Sequence, residues 1–354
     1  MIMATINPKM ITIARESRGL SQTELSDLLG VSVSNVSRYE DSTIINDTAL
    51  ENIATALNYP IGFFSQDFLI QPPNIHYRKR LTLSPKIIRK ADALMNIYRS
   101  NIEKMLNTID MDAANIPVID SYSYGSPRKI AAYIRSYWRV ERGPIKDLVS
   151  LVEKNGIMVI MFDFETEKID GRSMMTESGQ PVIFLNKHLP GDRVRLTLAH
   201  ELGHIIMHLR TVPTFERDEE AEAFEFASEF LMPEAEMRLA VTSRLTLEKL
   251  ADLKRIWKTS MRAILYWSEK LKLVTPNQSR YLHSQFSSLG YNKNEPIVIQ
   301  IDTPTLVARM VLLYTKSKAD NLETGYEEVA KVFNLEIGEF KNRYISPVFK
   351  LRVA

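Results

Sequence analysis

The sequence predicts an α+β fold that is mostly helical, and three observations carry the prediction. Apolar residues recur at three- and four-residue spacing along most of the 354-residue chain, as amphipathic helices require. Strand patterning is confined to short apolar or β-branched runs at 157–162, 180–186 and 296–301. The run from Leu196 to His208 places histidines four residues apart inside a helical apolar pattern. The expected order is five short helices, a linker helix, a small sheet backed by helices, and a mostly helical C-terminal region. The matching divisions are 1–70, 71–124, 125–275 and 276–354.

Composition is that of an ordinary globular protein, 45% hydrophobic and 25% charged. The length suggests two or three domains. There is no cysteine, which excludes disulfides and thiolate metal sites, so a metal must use His, Asp or Glu. No apolar run approaches the ~18 residues of a membrane-spanning helix, and no basic-then-apolar leader opens the chain. A cytoplasmic protein without a membrane partner is expected. The net charge of +2 says little, but its distribution says more.

The first helix covers 8–20, with Ile11, Ala14 and Ile13 inward. Ser21-Gln22-Thr23-Glu24 is a capping box, in which the Ser21 and Glu24 side chains each satisfy an orphan backbone N–H. That second helix stops at Gly30. A third spans 32–41 with Val36 inward, Asp47 caps a fourth that runs to Leu57, and 60–68 forms a short fifth. Two short helices around a glycine-containing turn make a helix-turn-helix pattern.

Residues 11–68 resemble the Cro/C1-type (XRE) DNA-binding domain. The match rests on Ser21-Gln22, Leu25, Leu29-Gly30-Val31-Ser32, Val36-Ser37, Glu40, Leu50, Ile53-Ala54, Leu57 and Phe64. Asp41-Ser42 stand where that family often has a glycine. The resemblance implies that the third helix enters the major groove of double-stranded DNA. Val33, Ser34, Asn35, Ser37 and Arg38 would face the groove, Asn35 suited to adenine and Arg38 to guanine or phosphate. Gln22 and Ser32 would contact backbone phosphate. Such domains usually bind as homodimers.

Charge argues against easy DNA binding by this unit alone. Residues 1–70 carry four basic and eight acidic side chains, a net −4. Residues 71–104 carry eight basic and two acidic ones, a net +6. Tyr77-Arg78-Lys79-Arg80 and the helix after Pro85 are therefore expected to add phosphate contacts. Gln71-Pro-Pro-Asn74 marks a linker, 84–108 a helix with an apolar stripe, and 111–125 a turn-rich boundary.

Helices at 127–137 and 145–154 lead into the strand at 157–162. Asp170-Gly171 is a turn before the strand at 180–186, and Asp192 opens the histidine-bearing helix. A small sheet beside such a helix suits a peptidase that binds its substrate as an added strand. Residues four apart on a helix turn through about 400°, so His200 and His204 share a face. Both can reach one zinc ion at about 2.0–2.1 Å. Glu201, next to the first ligand, is placed to take a proton from a metal-activated water. Gly203 costs helix stability, which points to close packing against a neighbour.

A third ligand is expected from the helix at 217–232, which Pro233 stops. Glu222 sits beside Ala223 and one turn before Phe226, so it projects with the apolar face. Glu225 is the alternative, and Glu219 and Glu229 are less central. His208 as a ligand would close the site to water, so it is read as a packed histidine behind or beside the ligands. His76, His188 and His283 are expected at the surface, and Trp257 and Trp267 in the core.

The run from Gly191 to His204, with Glu222-Ala223, Phe226-Ala227 and Phe230-Leu-Met-Pro233, resembles the ImmA/IrrE family of metallo-endopeptidases. Segments 138–156 and 169–173 resemble it too. The resemblance covers roughly 125–275 and implies that His200, His204 and Glu222 bind the metal and that Glu201 is catalytic. Phe224 stands where the family usually has asparagine. Members cleave repressor proteins and so release mobile-element or stress genes.

Residues 247–257 and 260–271 read as helices that end this region, followed by helices at 278–289, 306–315 and 326–333. The whole reads as a DNA-binding transcriptional regulator fused to a zinc endopeptidase. Its protein substrate would be a repressor, or its own linker near 71–80 or 111–125. The alternative is a non-proteolytic DNA-binding regulator whose metal site is structural or sensory.

Overall fold

The computed structural model describes residues 3–71, 83–119, 125–209, 217–242 and 244–345. The N-terminal unit contains β1 (Met3–Thr5), α1 (Pro8–Ser17), α2 (Gln22–Leu29), α3 (Val33–Asp41), β2 (Ile44–Asn46) and α4 (Asp47–Leu57). The fifth expected helix is a single 3-10 turn, Ile61–Ser65. Both halves of the Ser21/Glu24 capping box are made, and Gly30 ends α2 in the left-handed conformation at φ 65°. The antiparallel pair β1–β2 has no strong sequence signal: its strands are three residues long.

A 22-residue helix, α5 (Pro85–Leu106), follows. Next come α6 (Pro127–Tyr137), α7 (Leu148–Lys154), β3 (Met158–Phe162), β4 (Gly171–Met175) and β5 (Pro181–Asn186). Then come α8 (Gly191–Met207), α9 (Glu219–Leu231), α10 (Glu234–Ala240), α11 (Leu247–Trp257) and α12 (Met261–Lys270). The sheet has the order β3-β5-β4, with β3 parallel and β4 antiparallel to β5. Sequence reading found β3 and β5 but placed only a turn at Asp170-Gly171 and no strand after it, because Gly-Arg-Ser-Met-Met lacks β-branched residues. Arg172 is buried in it, paired with Asp92 of α5.

The C-terminal region contains α13 (Pro276–Ser288), α14 (Leu306–Lys318), α15 (Leu322–Phe333) and α16 (Ile337–Phe340), closed by a π turn at Lys341–Ile345. The strand expected at 296–301 is instead extended chain with no ladder partner among the described residues. Its side chains alternate between half-buried and exposed, the pattern that was read as a strand.

Each face of the three-stranded sheet is covered, so the strands are buried on both sides. Val159, Ile183 and Leu185 face a core built from α6 to α13. Met158, Ile160, Phe162, Val182 and Phe184 face a second core. That second core runs without a break through α5, α14 and α15 into Met10, Leu25, Val36 and Leu57 of the N-terminal unit. Polar contacts follow the same path. Arg18 donates to both oxygens of Glu339 at 2.7 and 2.8 Å, and Lys104 of α5 donates to Val332 O of α15.

The outer edge of β4 is covered at its far end. Met175 N donates to the Gln71 side chain, and Arg99 of α5 donates to Met175 O.

Candidate metal centre

The helix α8 is buried along nearly its whole length, from Gly191 to Met207. It packs on α9 through Gly203: a Cβ there would lie 3.1 Å from the Phe226 ring and 3.3 Å from the Ala223 backbone. A glycine here lets the two helices approach closely without either giving way, which brings the acidic first turn of α9 against the histidines.

His200 Nε2 and His204 Nε2 lie 3.1 Å apart. Glu220 faces both, with Oε2 3.5 Å from His200 Nε2 and Oε1 3.4 Å from His204 Nε2. Donors around a tetrahedral zinc at 2.0–2.1 Å stand about 3.3 Å apart. The three donors therefore fit a zinc ion in both chemistry and spacing. The two imidazoles hold the Glu220 carboxyl well below the usual carboxylate range. Burial disfavours charge on His204, but Glu220, Glu201 and Glu219 outweigh it and raise its pKa.

Glu222, the ligand expected from sequence, points elsewhere. Its carboxylate accepts two hydrogen bonds from Arg217, at 2.8 and 2.7 Å, and lies 3.0 Å from His208 Nε2. Two residues on a helix are about 200° apart, so Glu220 and Glu222 cannot face one ion together. The signal for Glu220 was present in sequence: it precedes Ala223 by three and Ala227 by seven, the spacing of one helical face. Glu225 is tied to Arg128, Glu229 caps the backbone of Glu234, and neither lies in the donor set.

His208 stands behind the pair. His204 Nδ1 and His208 Nδ1 are 2.9 Å apart. A histidine that offers Nε2 to a metal carries its proton on Nδ1, and here that proton meets His208. His208 Nε2–H then donates to Glu222, which Arg217 clamps. Burial, first, and the neighbouring His204 lower the His208 pKa, consistent with a neutral ring. His204, His208 and Glu219 form a second potential donor set that shares His204. The first set is the better site, because His200 and Glu220 line an open cleft and His208 and Glu219 do not.

That cleft, of about 1120 Å³, also takes in Glu201, Leu196, Thr197 and Phe224. The C-terminal segment from Tyr291 to Val298 lines it as well. Three buried ion pairs fasten this segment and the chain just after it to α8, two of them through Lys254 of α11. Lys254 pairs with Asp192 at 2.6 Å and Glu295 at 2.7 Å, and Arg195 pairs with Asp302. Glu295 also accepts from Met261 N and Arg262 N at the start of α12. Sequence reading missed this segment, since no local pattern links residue 295 to residue 192.

The residues expected at DNA lie on and around α3. Ser32, Val33, Ser34 and Arg38 are exposed, Asn35 and Ser37 half-buried, and Val36 fully buried as expected. Arg38 donates to Asn35 Oδ1, and Ser32 caps the helix. Gln22 donates to Glu40, which also binds the buried Arg15. Arg78, Lys79 and Arg80 lie outside the described residues. The basic residues of α5 expected at phosphate are partnered within the protein. Lys86 pairs with Glu24, Arg89 with Glu16 and Lys90 with Glu165, while Arg99 is buried. They neutralise acids of neighbouring elements instead.

Comparison with known families accords with both halves. Residues 152–267 match the peptidase family model described as IrrE N-terminal-like domain, and residues 11–64 match a helix-turn-helix model. No curated protein matches the chain. No helix among the described residues is long and apolar enough to cross a membrane.

Proposed function

We propose that this chain, which joins a helix-turn-helix domain to an IrrE-like peptidase domain, is a DNA-targeted zinc endopeptidase that cleaves a repressor protein. The observation that carries the reading is the three-donor set of His200, His204 and Glu220 beside an open cleft. A zinc ion held there would polarise the scissile carbonyl and the attacking water. Glu201 takes the proton as the water oxygen attacks the carbonyl carbon. It then passes that proton to the amide nitrogen as the C–N bond breaks. The His208–Glu222–Arg217 chain keeps the His204 proton on Nδ1 and so leaves Nε2 to the metal.

On the DNA side, Ser34, Asn35, Ser37 and Arg38 read the groove, with Gln22 and Ser32 at the phosphates, and a homodimer spans two half-sites. Cleavage within 111–119 is disfavoured, because Ile116 and Ile119 are core residues and Asn115 O accepts from Trp138. The other expected self-cleavage site, near 71–80, lies outside the described residues but for Gln71, so the substrate we propose is a separate repressor in the cytoplasm or that linker. The alternative of a closed structural site is disfavoured by His208, whose Nδ1 faces His204 and not the three donors.

Metal content and cleavage test the reading together. Wild type and Glu201→Gln should each hold about one zinc, and only wild type should cleave. Glu220→Ala should lose the metal, and Glu222→Ala should keep it more weakly. The reverse pattern would return the ligand role to Glu222. Little zinc in wild type would favour the non-proteolytic regulator.

A further inference from the structure

We infer that Phe224 forms the apolar wall of a substrate subsite beside the metal centre, so that this endopeptidase selects chains with a large apolar side chain next to the scissile bond. The inference rests on the peptidase reading and adds the class of bond cut.

Phe224 is 43% exposed, although α9 buries Ala223, Phe226, Ala227 and Phe230 completely. Its ring covers the His200 imidazole, with centroids 4.3 Å apart and planes at 50°. The ring thus lines the cleft within one side chain of the donor set. Leu196, one helical turn before His200, adds apolar surface on the same helix. Ile297 and Val298 also line the cleft, and Val298 is 88% exposed. Several of the cleft's charged groups are occupied among themselves: Arg193 pairs with Asp170, and Lys254 with Asp192 and Glu295.

An extended peptide held with its carbonyl at the metal must lay one flanking side chain against Phe224. A large apolar side chain there removes water from the Phe224 ring, which favours it in proportion to the area covered. A small side chain leaves that surface wet, and a charged one loses hydration against the ring. Discrimination of this kind amounts to about tenfold or more in a hydrophobic pocket. His200 does not need Phe224 as a ligand partner, so the ring can be changed while the metal stays.

The test uses zinc-loaded full-length protein and two peptide hydroxamates that differ only in a benzyl or methyl side chain beside the metal-binding group. Calorimetry should show the benzyl compound binding wild type about tenfold more tightly. In Phe224→Asn the two should come within about twofold at unchanged zinc content, while Phe224→Leu should keep most of the preference. Equal affinities in wild type, or a preference that survives in Phe224→Asn, would overturn the subsite and leave the peptidase reading intact. Zinc and benzyl preference without cleavage of any peptide would support the subsite and sink the peptidase reading. Protein that takes up no zinc would overturn both.

Discussion

Glu220 and Glu222 are two residues apart, yet they do different work. Glu220 is shared by two imidazoles, whereas Glu222 holds the outer end of a chain that begins at His204. That chain has a measurable consequence. His208→Ala removes the acceptor of the His204 Nδ1 proton, so zinc affinity should fall 10- to 100-fold without being abolished. Competition with a chelator reads this directly, and an unchanged affinity would mean that His208 only fills space. The His200–Glu201–His204 constellation was legible in sequence because a helix repeats on a local and regular period. Which acid of α9 faces the two histidines depends on how α9 rolls on α8. That roll is set by Gly203 against Phe226, a contact between residues 23 apart, and by the tie of Arg217 to Glu222.

Among elements, the extended segment after α13 is the one whose role no local pattern announces. It has few hydrogen-bonded neighbours of its own, and it is held by Lys254, Arg195 and Gly191. A Cβ on Gly191 would lie 2.2 Å from Ile299 O, too close for any backbone adjustment smaller than moving the segment. Gly191→Ala should therefore displace it, at a cost of roughly 1–3 kcal/mol. Limited trypsin digestion should then cut at Lys293 faster than in wild type, while zinc content is retained. Equal digestion would show that the segment is held by its ion pairs alone. Amphipathic helices and the two buried strands β3 and β5 were readable from periodicity. β4 was not, since its stability comes from pairing with β5 and from the Arg172–Asp92 contact and not from its own residues.

At the scale of the molecule, the N-terminal unit shares a core with α5, α14 and α15, so the DNA-binding and peptidase halves are not beads on a string. Lys104 sits at this junction, donating to Gln66, Asn101 and Val332. Burial pushes its ammonium down to about 8 from the ordinary 10.5. Between these values the unfolded chain binds more protons than the folded one, so this group makes stability rise with pH across that window. Below pH 8 both states are protonated, and the buried charge exerts its full cost. Urea unfolding of wild type and Lys104→Met at pH 7 and pH 10 should show the variant losing ground as pH rises; a constant difference would place the ammonium in contact with water. The same junction bears on any break of the chain between residues 71 and 83. Gln71 is fastened to Asn96 and Met175, and Arg18 to Glu339. A nicked molecule would thus remain a two-fragment complex, held by complementation across a common interior. What the break removes is the effective concentration that tethering supplies, so separation of the fragments would follow dilution and not cleavage itself.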